Sequence, residues 1–304
     1  MLTNRTAILL LAVVVATTAL GCERTTAPIL DSDSTAFALR KAFDKGAGST
    51  AGAATVLAEP TGWATLKGSF TLVGTAPQLS VVNIVKDNAI CAPGGIQVME
   101  QTLVVSATNR IKDVLIYLDT KIPSDDPKWE HESYLAEKMG EVEFDQKNCR
   151  FLKHVSAMRS TQTLRILNSD TVAHNAKIDP RRGAVPFNGM TPSLSRDTTY
   201  QPGGQTDSPF PVSCNIHPWM SAFMITRDSP YFAVTDENGE FEIPYIPSGV
   251  ELVFRVWQQK AKDVEDVAVN GTPQPKWRRG RFTVTLANEE VREMKVTVDA
   301  SVFK

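Results

Sequence analysis

The chain is predicted to be all-β, and two observations carry that prediction. From Trp63 onward, short runs rich in β-branched and aromatic residues recur between turn residues. They are SFTLV (69–73), QTLVV (101–105), VLIYL (114–118), TLRIL (163–167), FAVT (232–235), FEI (241–243), ELVFRVW (251–257), FTVTL (282–286) and MKVTV (294–298). Several alternate with period two, as half-buried strands do. Beyond the N-terminal region few segments carry a helical stripe, SYLAEKM (133–139) being the strongest. Many short strands with turn punctuation argue for sandwich or Greek-key architecture. The length of 304 residues allows one large domain or two modest ones. An apolar fraction of 42% excludes a disordered or low-complexity chain. With 32 Lys and Arg against 34 Asp and Glu there is no basic excess, so nucleic acid is not an expected partner.

Residues 1–21 read as an export signal. Arg5 is the only charge before the 14-residue run Ala7–Leu20, which suits a signal h-region and is short for a membrane-spanning helix. The run ends in Ala19-Leu20-Gly21-Cys22, which resembles a bacterial lipobox with Ala19 where Leu is usual. Cys22 is then the expected lipidation site; an ordinary cleaved signal with an incidental Cys is the alternative. Both predict an exported protein, periplasmic or held as a lipoprotein on the outer membrane or cell surface. Residues 22–61 are rich in Ala, Thr, Ser, Asp and Gly. They read as a flexible tether, spanning about 35 Å as a coil. Within it, 34–43 has the makings of a short amphipathic helix.

The chemistry concentrates in Cys214-Asn215-Ile216-His217-Pro218-Trp219-Met220, a C-x2-H-x2-M pattern. Forty residues upstream stands Asn168-Ser169-Asp170-Thr171-Val172-Ala173-His174-Asn175. Together the two stretches offer a thiolate, two imidazoles and a thioether, the donor set of a mononuclear blue copper site. Zinc fits less well, because thioethers bind it poorly and structural zinc favours more Cys or His. Met224 is a rival thioether but lies inside the next apolar run and reads as core. A metal-free sandwich with a buried Cys is the alternative to a site of any kind.

On these residues the region 142–227 resembles the cupredoxins, in particular amicyanin and pseudoazurin. The resemblance implies one type 1 copper held by His174, Cys214, His217 and Met220. It also implies that the Asn175 amide bonds the Cys214 sulfur, and that the ring edge of His217 lies near the surface as the electron port, in a dry patch that includes Pro218. Phe187, Asn188 and Met190 fall in a loop able to reach the rim. The flanks, 62–120 and 231–304, resemble the two parts of a carboxypeptidase-regulatory or prealbumin-like β-sandwich, through WATLKGSFTLV, IKDVLIYLD and TDENGEFEIPYIPSGVELVFRV. In that hairpin Gly239 is expected at positive φ in the tight turn 236–239. The expected architecture is therefore a Greek-key cupredoxin sandwich inserted into a second, prealbumin-like one.

Cys91 and Cys149 remain. In an exported protein they are candidates for a disulfide that staples insert to carrier, free thiols being the alternative. His131 and His154 read as surface residues, with a part in a second metal site left open. Arg181, Arg182 and Arg196, and separately Lys276, Arg278, Arg279 and Arg281 around Trp277, read as solvated loop charges or as docking patches. The functional expectation is a copper protein that carries single electrons between redox protein partners, attached to the membrane through lipid. An enzyme is not expected: multicopper oxidases need His-rich further centres, and the chain has four His. The alternative is a non-redox binding module for carbohydrate or protein, its copper site vestigial or used for storage.

Overall fold

A computed structural model describes residues 57–303. The signal segment, Cys22, all but the last five residues of the tether and the helix expected at 34–43 lie outside the described residues. Nineteen strands are found among them. They are β1 (Gly62–Val73), β2 (Leu115–Leu118), β3 (Glu141–Lys147), β4 (Arg150–Phe151), β5 (Val155–Arg159), β6 (Thr163–Asn168), β7 (His174–Ile178), β8 (Phe187–Thr191), β9 (Thr198–Tyr200) and β10 (Phe210–Ser213). There follow β11 (Ser221–Arg227), β12 (Phe232–Val234), β13 (Glu240–Ser248), β14 (Glu251–Gln258), β15 (Lys262–Asp263), β16 (Val267–Val269), β17 (Thr272–Pro273), β18 (Arg281–Thr285) and β19 (Val291–Asp299). One helical turn, α1 (Asn88–Cys91), and short 3-10 turns complete the fold.

The strands form four sheets in two pairs. One sheet has the order β13-β1-β19-β16-β17, and a second the order β12-β2-β14-β15, with β18 also paired to β14. Both draw their strands from residues 62–118 and 232–299. The other two sheets, β5-β11-β10-β7-β8 and β4-β3-β6-β9, come wholly from 141–227. The period-two pattern explains each layer: β19 buries Met294, Val296 and Val298 while the residues between them face outward. The first pair of sheets closes over Leu66, Phe70, Ile116, Phe254 and Val296. The second pair closes over Phe144, Phe151, Leu164, Ile166, Val212 and Met224. Gly239 sits at φ 68° in the turn joining β12 to β13; a Cβ there would stand 2.7 Å from the Phe70 carbonyl oxygen.

The two sandwiches meet over a third apolar cluster, in which Leu115, Tyr117 and Trp257 pack on Val155 and Ile225. Polar groups lock this join. Arg227 donates to the carbonyls of Thr206 at 2.8 Å and Leu118 at 2.7 Å, with its guanidinium 5.3 Å from the Tyr117 ring centre. Arg159 grips Glu130 through two bonds of 2.6 and 2.8 Å, both side chains being buried.

Two expectations fail. SYLAEKM is not an α-helix: a 3-10 turn, Glu132–Tyr134, is followed by turns, with the His131 ring accepting the Ser133 amide at 3.2 Å. Two helical turns are too few to stand without a packed face, and Leu135 and Met139 are exposed. QTLVV is not a strand either; only Val105 makes an isolated bridge, to Ile111. Its residues instead carry the chain between the sandwiches, the Thr102 carbonyl accepting from the Gln258 amide at 2.7 Å.

Removing Arg159 from the buried Arg159–Glu130 pair leaves the Glu130 carboxylate with only Lys138, at 3.6 Å. Arg159→Met is expected to lower the unfolding free energy by about 3 kcal/mol, and adding Glu130→Leu to recover much of that loss, as read by chemical denaturation.

Candidate metal centre

The ligand loop is a tight connection between β10 and β11. The Cys214 amide donates to the Met220 carbonyl at 3.3 Å, and the Met220 amide to the His217 carbonyl at 2.9 Å. The loop is therefore closed on itself and turns the side chains of Cys214, His217 and Met220 inward, all three being buried. His174 opens β7, the neighbour of β10 in the same sheet. Asn175, the next residue, binds strand to loop. Its side-chain oxygen accepts from the Asn215 amide at 2.8 Å, and its side-chain nitrogen donates to Asn188 on β8 at 2.7 Å.

The result is a three-residue cluster. The Nδ1 atoms of His174 and His217 are 2.8 Å apart, and the Cys214 sulfur is 4.0 Å from Nδ1 of His217. The ligand atoms of all three residues lie within 4.8 Å of one another. Atoms so spaced can all reach a single ion at the ~2.0–2.3 Å typical of imidazole and thiolate bonds. Met220 is 1% exposed and shares the apolar cluster of Cys214; Met224 lies on β11, paired with Phe210, and is core.

Both rings are held from behind. Nε2 of His174 is 2.8 Å from the Asp170 carboxylate, which also accepts the amides of Asn148 at 2.7 Å and Cys149 at 2.8 Å. Nε2 of His217 is 2.9 Å from the carboxylate of Asp87. An Nε2–H donated to a carboxylate leaves Nδ1 as the lone pair that faces the cluster, the arrangement that orients imidazoles on metals.

Burial pushes the Cys214 thiol up, but the His174 ring and the amides of Asn175, His217 and Ile216 outweigh it and hold the thiol below its ordinary value. Burial also opposes the charged form of His174, yet Asp170 and Cys214 raise its pKa overall. His217 goes the other way: burial lowers it, and Asp87 does not make up the difference.

Cys91 and Cys149 are joined in a disulfide, and their sulfurs lie within 4.8 Å of a His217 ring nitrogen. The bond seats the segment 79–102 on the ligand loop: Cys91 belongs to the apolar cluster of Cys149 and Cys214, with Ile84 and Ile90 packed against it. Asp87 precedes α1 in the left-handed region, φ 53°, and there reaches His217. This corrects the expected electron port. His217 is 0% exposed, because the segment covers the ring and takes its Nε2–H. Asp87 is the functional residue missed in the sequence; no motif ties it to a histidine 130 positions on.

The other expected residues fall apart from the cluster. His131 stacks on Tyr245 with ring centres 4.0 Å apart. His154 is 3% exposed, not a surface residue: the join between the sandwiches covers it, and its Nε2 pairs with Gln259. Met190 is exposed and Phe187 packs on the core beside the site. In the basic stretch 275–281, Trp277 is buried against Phe282, Lys276 pairs with Glu265 at 2.9 Å and Arg281 with Asp119 at 2.5 Å, which spends half of the charge expected for docking.

No protein-family model matches the chain, and no curated protein matches it in sequence. Among solved structures, 28% of the chain superposes on a copper-containing nitrite reductase from Thermus scotoductus SA-01, with 21% identity and a TM-score of 0.23. The match spans 22% of that enzyme's chain. A further 37% match covers 97% of amicyanin from Paracoccus versutus (Thiobacillus versutus), at 16% identity and a TM-score of 0.24. A reduced tryptophan-to-tyrosine variant of amicyanin matches 38% of the chain over 99% of its own, at 12% identity and a TM-score of 0.23. Scores this low carry no chemical argument.

The disulfide and Asp87 together close the ring of His217 off from solvent. Diethyl pyrocarbonate is expected to leave His217 unmodified in the oxidised protein and to modify it once Cys91 and Cys149 are reduced and alkylated, as read by peptide mass spectrometry. Modification before reduction would show the cover to be open.

Proposed function

We propose that the chain is an exported type 1 copper protein that carries single electrons between redox partners. The observation that supports this best is the convergence of His174 Nδ1, His217 Nδ1 and the Cys214 sulfur, within 4.8 Å, beside the buried Met220. That donor set fits copper: two neutral imidazole nitrogens, a thiol already biased toward thiolate, and a thioether in reserve as the weak fourth group. Copper bound there would supply a one-electron couple. The protein's own work is to hold the donors still. Asp170 and Asp87 fix the two rings, the loop hydrogen bonds fix Cys214 and Met220, and Asn175 ties strand to loop. Donors that barely move between oxidation states keep the rearrangement during transfer small.

The same reading makes the chain a carrier and not an enzyme. His131 and His154, the two histidines left over, stand in an aromatic stack and in the join between the sandwiches. The flanking sandwich is read as the holder that supplies Asp87 and the cover. Residues 1–21 are read as the export signal, Cys22 as the lipid anchor, and the tether as the length that lets the domain meet periplasmic or cell-surface partners.

Three measurements test the assignment. Copper(II) added to the signal-free protein is expected to give an intense thiolate-to-copper absorption and a type 1 EPR spectrum, both abolished by Cys214→Ser with the fold retained. Met220→Leu is expected to keep copper and raise the potential, since a weaker axial donor favours Cu(I). Apparent copper affinity is expected to fall as pH drops, because the raised His174 pKa keeps a competing proton in the cluster; a competition titration across pH 5–8 reads this.

A further inference from the structure

A second polar site lies between the cover and the copper-side sandwich. It is a cavity of about 210 Å³, bounded by Val82 and Val98–Thr102 on one side and by Arg150, His154 and Trp219–Ser221 on the other. Three residues of its wall carry a fully buried side-chain atom with no hydrogen-bond partner among the described residues: Thr102 Oγ1, His154 Nδ1 and Trp219 Nε1. His154 as a whole is 3% exposed. Arg150 makes no ion pair or side-chain hydrogen bond among the described residues, and burial holds its guanidinium below the usual arginine range. Each orphaned group costs on the order of 1–3 kcal/mol if nothing meets it, so several around one small cavity point to a ligand.

The polarity of the groups defines that ligand. Arg150 and Trp219 Nε1–H only donate. The Nε2 of His154 faces the side-chain oxygen of Gln259, and as the donor there it leaves Nδ1 as an unpartnered lone pair. Glu100, whose carboxylate already accepts the Ser80 amide at 3.2 Å, adds a second acceptor at the wall. Thr102 serves in either sense. The complement is a small oxyanion that also bears a hydroxyl: its charged oxygens accept from Arg150 and Trp219, and its O–H donates to His154 or Glu100. The volume of about 210 Å³ admits an ion of a few heavy atoms with two or three waters, at about 30 Å³ per water.

We propose that this cavity is a binding site for a small protonated oxyanion of the bicarbonate or hydrogen phosphate class, held by Arg150, Trp219, Thr102 and His154. None of these four residues is itself a proposed copper ligand, but Met220 stands on the same wall, so the test uses the metal-free protein.

Isothermal titration of the metal-free, disulfide-bonded protein with bicarbonate and with inorganic phosphate tests it, nitrate serving as an anion without a hydroxyl. At least one of the first two is expected to bind, nitrate about tenfold more weakly or not at all. Arg150→Met is expected to weaken binding about tenfold or more, the scale of one charge-assisted hydrogen bond. Trp219→Phe, which keeps the ring and removes only the N–H, is expected to weaken it as well and guards against a folding defect in the first variant. Binding of neither anion, equal binding of nitrate, affinity unchanged in both variants, or a crystal structure with water alone in the cavity at 50 mM (roughly, well above ordinary site affinities) of each anion would overturn it.

Discussion

Four side chains stand in a line through the centre of the site: Asp170, His174, His217 and Asp87, at 2.8, 2.8 and 2.9 Å. Each carboxylate takes the outer nitrogen of one imidazole, so both inner nitrogens are turned on the same point. Remove either end and a ring is free to rotate or change tautomer, and the lone pair that faces Cys214 is no longer assured. The line begins inside the 141–227 sandwich and ends outside it. Asp170 is set by the amides of Asn148 and Cys149, but Asp87 belongs to a segment between β1 and β2 of the flanking sandwich. The site is complete only when both bodies are in register.

That register is well specified. Tyr117 and Trp257 present an aromatic face to Val155 and Ile225, and Arg227 holds the Thr206 carbonyl of its own sandwich while it reaches across to the Leu118 carbonyl of the other. The Arg159–Glu130 pair adds a directional contact that a purely apolar join lacks. A buried pair contributes little net free energy but is costly to break in part, which suits a join that must hold an angle. The disulfide then fixes the middle of the covering segment, close to Asp87. Apolar packing, buried charge and a covalent bond thus act at three places along one boundary.

How much of this was legible in the sequence depended on whether a feature was local. Strands such as ELVFRVW and MKVTV announce themselves by alternation, because one face of each meets a core. The C-x2-H-x2-M loop is equally local: seven residues close on themselves, and their side chains converge for that reason alone. His174 and Asn175 stood out through their neighbours in sequence. The covering segment has no such signature. VVNIVKDNAICAPGG has β-branched residues without a regular period, and its backbone joins none of the four sheets: Val81 makes an isolated bridge to Met99, and the bonds of 87–95 are those of short local turns. What holds it is tertiary, Ile84 and Ile90 in another sandwich's core and Cys91 in a disulfide. Hence the mistaken surface positions of His217 and His154: each is buried by chain distant in sequence. QTLVV had the composition of a strand but lacks a neighbouring edge, and SYLAEKM had helical spacing but no surface to pack on.

The bond between Cys91 and Cys149 also imposes a sequence of events on maturation. Reducing compartments do not keep such a bond, so in one of them the last donor-orienting carboxylate is not fastened in place and the three thiols of the described residues, Cys214 among them, compete as partners. Oxidation removes two of the three and leaves Cys214 as the only free cysteine of the described residues. The pairing that seats the segment therefore also protects the remaining thiol from being consumed by the wrong neighbour.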